Sequence, residues 1–262
     1  MGLAEVYDFY WNENADKRTN VLPLIASPFV IPLILFAYLY FVLKCGPEFM
    51  KKRKPYSLKT FVRFYNIFQI VTNAYLVYRM LTAGWFTEIS VFCEIPDYSY
   101  APKPLKLART MWLGTMLKVF DLIETGVFVL RKKNKQISFL HVYHHVSTIL
   151  LAWFITKYVP VAMASFNLLV NCTVHVIMYT YYLLSSFGST VQKFLNPFKR
   201  LITTIQMVQF IILMLHNGQS FLPSCPVPRM PAVASIVILI INFVLFYNFY
   251  QKNYKKPVEK TS

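Results

Sequence analysis

The sequence predicts an all-α integral membrane protein of seven transmembrane helices. The chain has 262 residues, 56% of them hydrophobic and only 15% charged, with a mean hydropathy of +0.44. A soluble domain carries about a quarter charged residues, so this one is too apolar to face water on all sides. Its apolar residues gather into seven runs near the roughly 17–25 residues that a spanning helix needs. Ten-residue alternating segments are missing, which favours helices over the strands of a membrane barrel. With 7 Gly, 4 Cys and abundant large aliphatics, disordered, collagen-like and disulfide-scaffold classes are excluded.

The runs fall at 28–44, 59–81, 107–130, 139–156, 161–184, 200–216 and 232–250. The first is closed by Lys44, and the second opens at Lys59 after the basic stretch 51–54. The third is the least hydrophobic, because Lys118, Asp121 and Glu124 interrupt it. Arg131, Lys132, Lys133 and Lys135 separate it from the fourth, whose first turns hold a cluster of histidines. Lys193, Lys199 and Arg200 stand between the fifth and sixth, and the seventh is followed by Lys252, Lys255, Lys256 and Lys260.

These basic groups explain the formal charge of +16 without nucleic acid. They occupy alternate connecting segments, whereas Glu5, Asp8, Glu13, Asp16, Glu88, Glu94 and Asp97 occupy the others. The positive-inside rule then puts the C-terminus in the cytosol and the N-terminus across the membrane. Six or eight helices would break the alternation. The expected organisation is a lumenal segment 1–27, a seven-helix transmembrane domain 28–250 and a basic cytosolic tail 251–262. No cleavable signal, myristoylation site or prenylation box is read, so the first span is expected to act as a signal anchor. Cys93 and Cys225 fall in loops on the non-cytosolic side, where a bond and two free thiols are both compatible with the sequence. The Asn171-Cys172-Thr173 sequon lies inside the fifth span and is expected to stay unmodified.

Ionisable and amide side chains are costly within a bilayer and face a protein interior or a wet cavity. His141, His144 and His145 share one helical face at i, i+3 and i+4. The fifth span adds Asn171 and His175, continued by Met178, Tyr179 and Tyr182. The sixth brings Thr203, Gln206 and Gln209, and the third brings Lys118, Asp121, Glu124 and Thr125. Counted from the cytosolic ends, His144, His175, Gln206 and Asp121 all lie about 8–15 Å deep at 1.5 Å per residue. Four helices thus deliver histidine, amide and carboxylate groups to one layer, and this agreement in depth marks a functional group. Structural roles stand beside it: an interhelical hydrogen bond for His216, a buried ion pair for Lys118 with Asp121, packing for the tyrosines, and a topology signal for Arg131–Lys133.

Clustered imidazoles serve as metal ligands, as acid–base groups or as acyl-accepting nucleophiles. Membrane di-metal oxygenases and desaturases spread about eight or more histidines over several boxes. Five in total, with one far from the rest, is too few, so no metal or other cofactor is expected. A seven-helix receptor is opposed by the lack of a D/E-R-Y or N-P-x-x-Y motif, and a transporter leaves the histidines unexplained.

Residues 118–145, KVFDLIETGVFVLRKKNKQISFLHVYHH, resemble the signature region of the very-long-chain fatty acid elongases. The resemblance continues in 46–56 (GPEFMKKRKPY), in 171–182 (NCTVHVIMYTYY) and in the spacing of Thr203, Gln206 and Gln209. Two differences stand out: the family usually has Glu and Asp where this chain has Asp121 and Glu124, and often Phe in place of Tyr143. The resemblance implies an endoplasmic-reticulum 3-ketoacyl-CoA synthase that condenses a long acyl-CoA with malonyl-CoA. It also implies six of seven helices in a barrel around an acyl tunnel, and a Cys93–Cys225 bridge. His144 then carries the acyl group, His175 orients or deprotonates the reacting groups, and Asn171, Gln206, His141 and His145 are candidate donors to the developing oxyanion. Lys199 and Arg200, with residues 131–133, are placed to hold the anionic CoA. Lys118, Asp121, Glu124, Tyr179, Tyr182, Thr203 and Gln209 complete the expected substrate-binding set. Expected partners are the two acyl-CoA substrates, the bilayer, other enzymes of the elongation cycle and a second copy of the chain.

Overall fold

The computed structural model describes residues 2–254, so the lysines of the tail beyond Tyr254 lie outside the described residues. Helix α1 (Leu3–Asp8) passes into a π-helical turn at Phe9–Glu13. Helix α2 (Val30–Tyr40) continues through a second π-helical turn, Phe41–Cys45, into α3 (Gly46–Met50). Then follow α4 (Lys59–Leu81), α5 (Pro102–Phe120), α6 (Leu122–Leu130), α7 (Phe139–Tyr158), α8 (Ala162–Ser185), α9 (Ser189–Gly218) and α10 (Arg229–Tyr254). Among the described residues there is no β-strand, only an isolated bridge between Trp85 and Ile89.

Five stretches are long and apolar enough to cross a membrane: Val30–Met50, α7, α8, Ser189–Phe221 and α10. They turn large apolar side chains outward, among them Leu33, Phe36, Leu43, Leu215 and Val237, as a lipid solvent demands. The chain is therefore a multi-pass membrane protein. Helix α4 and the α5–α6 pair are less apolar because they turn polar groups inward. Asn66, Gln69 and Asn73 of α4 and Lys118 of α5 are all buried.

Two sequence expectations need correction. The third span, 107–130, is not one continuous helix: α5 ends at Phe120 and α6 begins at Leu122, with Asp121 at the junction. There Glu124 N–H bonds the Asp121 carbonyl at 3.2 Å, an i→i−3 contact that tightens the turn. The sixth span begins at Ser189 rather than near residue 200, and Pro197 is accommodated within it.

The packing order returns to its start. Helix α4 packs on α8, α8 on α9, α9 on α10, α10 on α7, α7 on α5, and α5 on α4, while Ile31 and Leu35 of α2 cluster with Ile149 of α7 and Val119 of α5. Gly114 sits where α5 meets α8, and a Cβ there would fall 2.4 Å from a Leu168 methyl carbon. At one end of this assembly Met80, Trp85, Leu107, Phe166, Leu169, Phe210, Leu213 and Leu239 form the main apolar cluster. His216 joins it, bonding the Met163 carbonyl at 3.0 Å and packing 4.2 Å from the Phe166 ring centroid.

The same end carries a clamp that hydropathy did not announce. Thr19 Oγ1 donates to the Thr156 carbonyl at 2.6 Å, and the Asp16 amide donates to the Lys157 carbonyl at 2.8 Å. Arg18 pairs with Asp16 at 2.6 Å and also reaches the carbonyls of Asp97, Ser99 and Pro160. Lys157 donates to Asn20 and lies 3.6 Å from the Trp11 ring centroid. A disulfide joins Cys93 to Cys225 here, with 5.6 Å between their Cα atoms and a sequence separation of 132. Cys93→Ser is expected to cost roughly 2–5 kcal/mol. Thermal unfolding in detergent should show the loss, and a reductant should shift the parent protein but not the variant.

Candidate active site

The Ser138 hydroxyl caps α7, accepting from the His141 amide at 3.2 Å. The histidines follow within the first two turns of that helix. His141 and His145 stack edge to face with 4.4 Å between centroids, and His144 meets His145 at 5.7 Å. The three rings are not equivalent. His141 is bound through Nε2 to Thr125 Oγ1 at 2.8 Å, and Thr125 in turn meets the Tyr38 hydroxyl at 3.1 Å. His145 is buried behind its neighbours. His144 alone of the three lines an internal cavity of about 110 Å³.

That cavity brings together four of the residues predicted for the site: Lys118 from α5, His144 from α7, Asn171 from α8 and Gln209 from α9. It runs on past Thr115, Thr148 and Leu151 to Ile155, Thr156, Ala164 and Asn167, toward the disulfide end. His175 is buried one turn beyond Asn171 on α8 and does not itself line the cavity. Two buried atoms at this level have no partner, Asn171 Oδ1 and His175 Nδ1. Orphaned polar atoms beside a cavity are what a ligand's polar groups satisfy.

The remaining predicted residues are disposed differently. Asp121 does not line the cavity but forms a buried ion pair with Lys118, which does, Oδ2 to Nζ 3.2 Å. Its other oxygen accepts from Gln69 Nε2 at 2.8 Å. Gln69 also donates to the Tyr65 hydroxyl at 2.8 Å and accepts from Asn73 at 3.1 Å. Tyr65 packs edge-on against Tyr179, with 6.0 Å between ring centroids. Neither Glu124 nor Tyr179 lines the cavity, and the exposed Tyr182 packs edge-on against Tyr179 at 6.0 Å. Gln206 contacts Met178 S at 3.4 Å, and Thr203 lies 3.5 Å from the Tyr254 hydroxyl. Of the Thr-x-x-Gln-x-x-Gln series only Gln209 lines the cavity. Lys199 and Arg200 are exposed at the histidine end, Arg200 Nε donating to the Tyr250 hydroxyl at 2.6 Å.

Several contributors went unnoticed in the sequence. Asn242 of α10 lines the cavity, donates to Ser147 at 3.4 Å and keeps a buried, unpartnered Oδ1. Phe246, one turn on, packs 6.0 Å from the His144 ring. Gln69 ties α4 to Asp121, and the i, i+3, i+7 spacing of Asn66, Gln69 and Asn73 is the signal that could have found it. Among the described residues, no group of three or more His, Cys, Asp or Glu side chains is arranged to hold a metal ion. Gln69→Leu is expected to leave an Asp121 oxygen and the Tyr65 hydroxyl short of a donor, costing about 1–3 kcal/mol per buried group. A detergent melt of that variant measures it.

The fold and the site together define a class: a multi-pass helical membrane protein whose interior cavity is fronted by a histidine cluster. The chain also matches the GNS1/SUR4 (ELO) family over residues 23–262. It is 38% identical over 247 residues to very long chain fatty acid elongase 1 of Mus musculus, covering 93% of this chain and 88% of the relative. It is 37% identical over 248 residues to elongase 7 of Rattus norvegicus, covering 94% and 88%. Against elongase 4 of Homo sapiens it is 36% identical over 254 residues, covering 97% and 80%. The chain belongs to the ELO family.

Proposed function

We propose that this protein is the condensing enzyme of fatty acid elongation, a 3-ketoacyl-CoA synthase acting on long-chain acyl-CoA and malonyl-CoA. The observation that carries the reading is the placement of His144: it stands at the wall of a long, mostly apolar cavity, beside an unpaired amide oxygen and a buried cation. Family membership and the elongase names of the relatives support the substrate class.

In the first half-reaction a ring nitrogen of His144 attacks the thioester carbon. The C–S bond breaks, its electron pair leaves on sulfur, and the ring proton neutralises the thiolate to give CoA and an acyl-imidazole. Malonyl-CoA then enters, and its free carboxylate departs as carbon dioxide. The electron pair left on carbon forms the new C–C bond to the acyl carbon. The N–acyl bond breaks, its pair returns to the ring, and one proton is taken up from water. Decarboxylation makes the carbanion in place, so no strong base is needed. Asn171 and Lys118 line the space where negative charge develops, and fixed dipoles and cations in a dry site stabilise such charge most. His175 orients the reacting groups from the adjoining helix.

The acyl chain occupies the cavity beyond His144, and anionic CoA stays at the basic histidine end near Lys199 and Arg200. A barrel of six helices, α4, α5 with α6, α7, α8, α9 and α10, with α2–α3 outside it as a seventh, is supported by the packing order that returns to α4. An endoplasmic-reticulum location, with the histidine end cytosolic and the disulfide end lumenal, is supported by the charge asymmetry of the loops and by the bridge, which an oxidising lumen permits. The test is to incubate purified protein in detergent with a long acyl-CoA and carboxyl-labelled malonyl-CoA. Acyl-CoA-dependent release of labelled carbon dioxide with a ketoacyl product is the expected result, and no release with any acyl length contradicts the proposal. A desaturase or oxygenase would instead consume oxygen, and a receptor or transporter would form no product.

A further inference from the structure

Behind the cavity that His144 fronts lies a second, smaller one of about 20 Å³. The two share three lining residues, Ile155, Ala164 and Asn167, so they are neighbouring compartments along one path. Between them stands a reciprocal pair of amides. Asn217 Nδ2 of α9 donates to Asn167 Oδ1 of α8 at 2.8 Å, and Asn167 Nδ2 returns the contact at 3.4 Å. Each is also tied to its own helix, Asn217 to the Leu213 carbonyl at 2.7 Å and Asn167 to the Ala164 carbonyl at 3.3 Å.

Amides along this path fall into two kinds. Near His144, Asn171 Oδ1 and Asn242 Oδ1 are buried without partners. At the far end, the Asn167 and Asn217 amides satisfy each other and leave no such orphan. A ligand whose polar group sits at one end and whose hydrocarbon tail points to the other fits this gradient, because a self-satisfied amide pair can face a methyl group without losing a hydrogen bond. Ile155 lies eleven helical steps beyond His144, about 16 Å at 1.5 Å per residue.

We infer that the Asn167–Asn217 pair is the floor of the acyl site and sets the longest chain this enzyme makes. The inference rests on the elongase reading above. It assigns specificity to an α8–α9 contact rather than to the diameter of the cavity. Removing both side chains joins the two compartments, and enlarging Ala164, which lines both, raises the floor toward His144.

The experiment compares product ladders from a series of saturated acyl-CoAs and labelled malonyl-CoA for the parent protein, the Asn167→Ala/Asn217→Ala double variant and Ala164→Leu. The double substitution avoids leaving one amide orphaned. It should extend the ladder by at least one two-carbon addition, raising the longest-to-next-longest product ratio roughly ten- to a hundredfold, the range that pocket contacts of one methylene support. Ala164→Leu should shorten the ladder by a similar factor. Unchanged ladders in active variants overturn the inference. Where one variant fails to fold, the other decides alone. A parent protein that elongates no acyl-CoA overturns the functional reading instead, so the two failures are distinguishable.

Discussion

His144→Ala should abolish condensation, with a fall in elongation rate of roughly 10⁴-fold or more, the scale seen when a covalent nucleophile is removed. The expectation follows from position. His141 is held by Thr125, and His145 is packed behind the other two rings, whereas His144 opens onto the cavity. The His141→Ala variant should therefore act indirectly, by loosening the Thr125–Tyr38 contact that anchors the start of α7, and should retain measurable turnover. The measurement is initial-rate elongation with saturating malonyl-CoA, beside a melt showing that each variant is folded. Equal residual activity in the two variants would remove His144 from its special role.

The second large effect concerns stability. Asp121→Leu leaves the Lys118 ammonium, only 6% exposed, without its counter-charge. Breaking one side of a buried pair costs about 3–5 kcal/mol, because the remaining charge stays desolvated. The Lys118→Met/Asp121→Leu double variant removes both charges and should recover most of that loss. It should still elongate roughly a hundredfold more slowly than the parent, since Lys118 lines the cavity where an oxyanion develops. Stability and rate thus separate the two roles that the sequence left open for Lys118. A single variant as stable as the parent, or a double variant no more stable than the single, contradicts the account of the pair.

How much of this was legible beforehand depended on the kind of signal. Long apolar runs and basic flanks are local, and each predicted span falls on helix, the third in two pieces broken at Asp121. The depth argument placed His144, His175, Gln206 and Asp121 in one layer, but of these only His144 lines the cavity, which it shares with Lys118, Asn171 and Gln209 from the same helices. It failed to separate Gln206 from Gln209, because which face of α9 meets the cavity is set by packing against α8 and α10. The polar stripe of α4 obeyed the same helical periodicity but carries amides rather than charges, so it drew less notice. Asn242 is one amide in an apolar helix and generates no pattern. The clamp of Thr19 onto Thr156 joins residues 137 apart in sequence, and the turns that present it have no hydrophobic period. Asp121 breaks its helix to serve contacts from α4, a tertiary demand that overrides local propensity.

The central claim is that one imidazole carries the acyl chain, and it is tested most directly without malonyl-CoA. Purified protein is incubated with radiolabelled acyl-CoA, digested under mild conditions and mapped by mass spectrometry. The account predicts one acyl group on the peptide containing His144 for each CoA released, and discharge of that label as ketoacyl-CoA when malonyl-CoA is added. Label on any other residue, or label that persists unchanged in the His144→Ala variant, would contradict it.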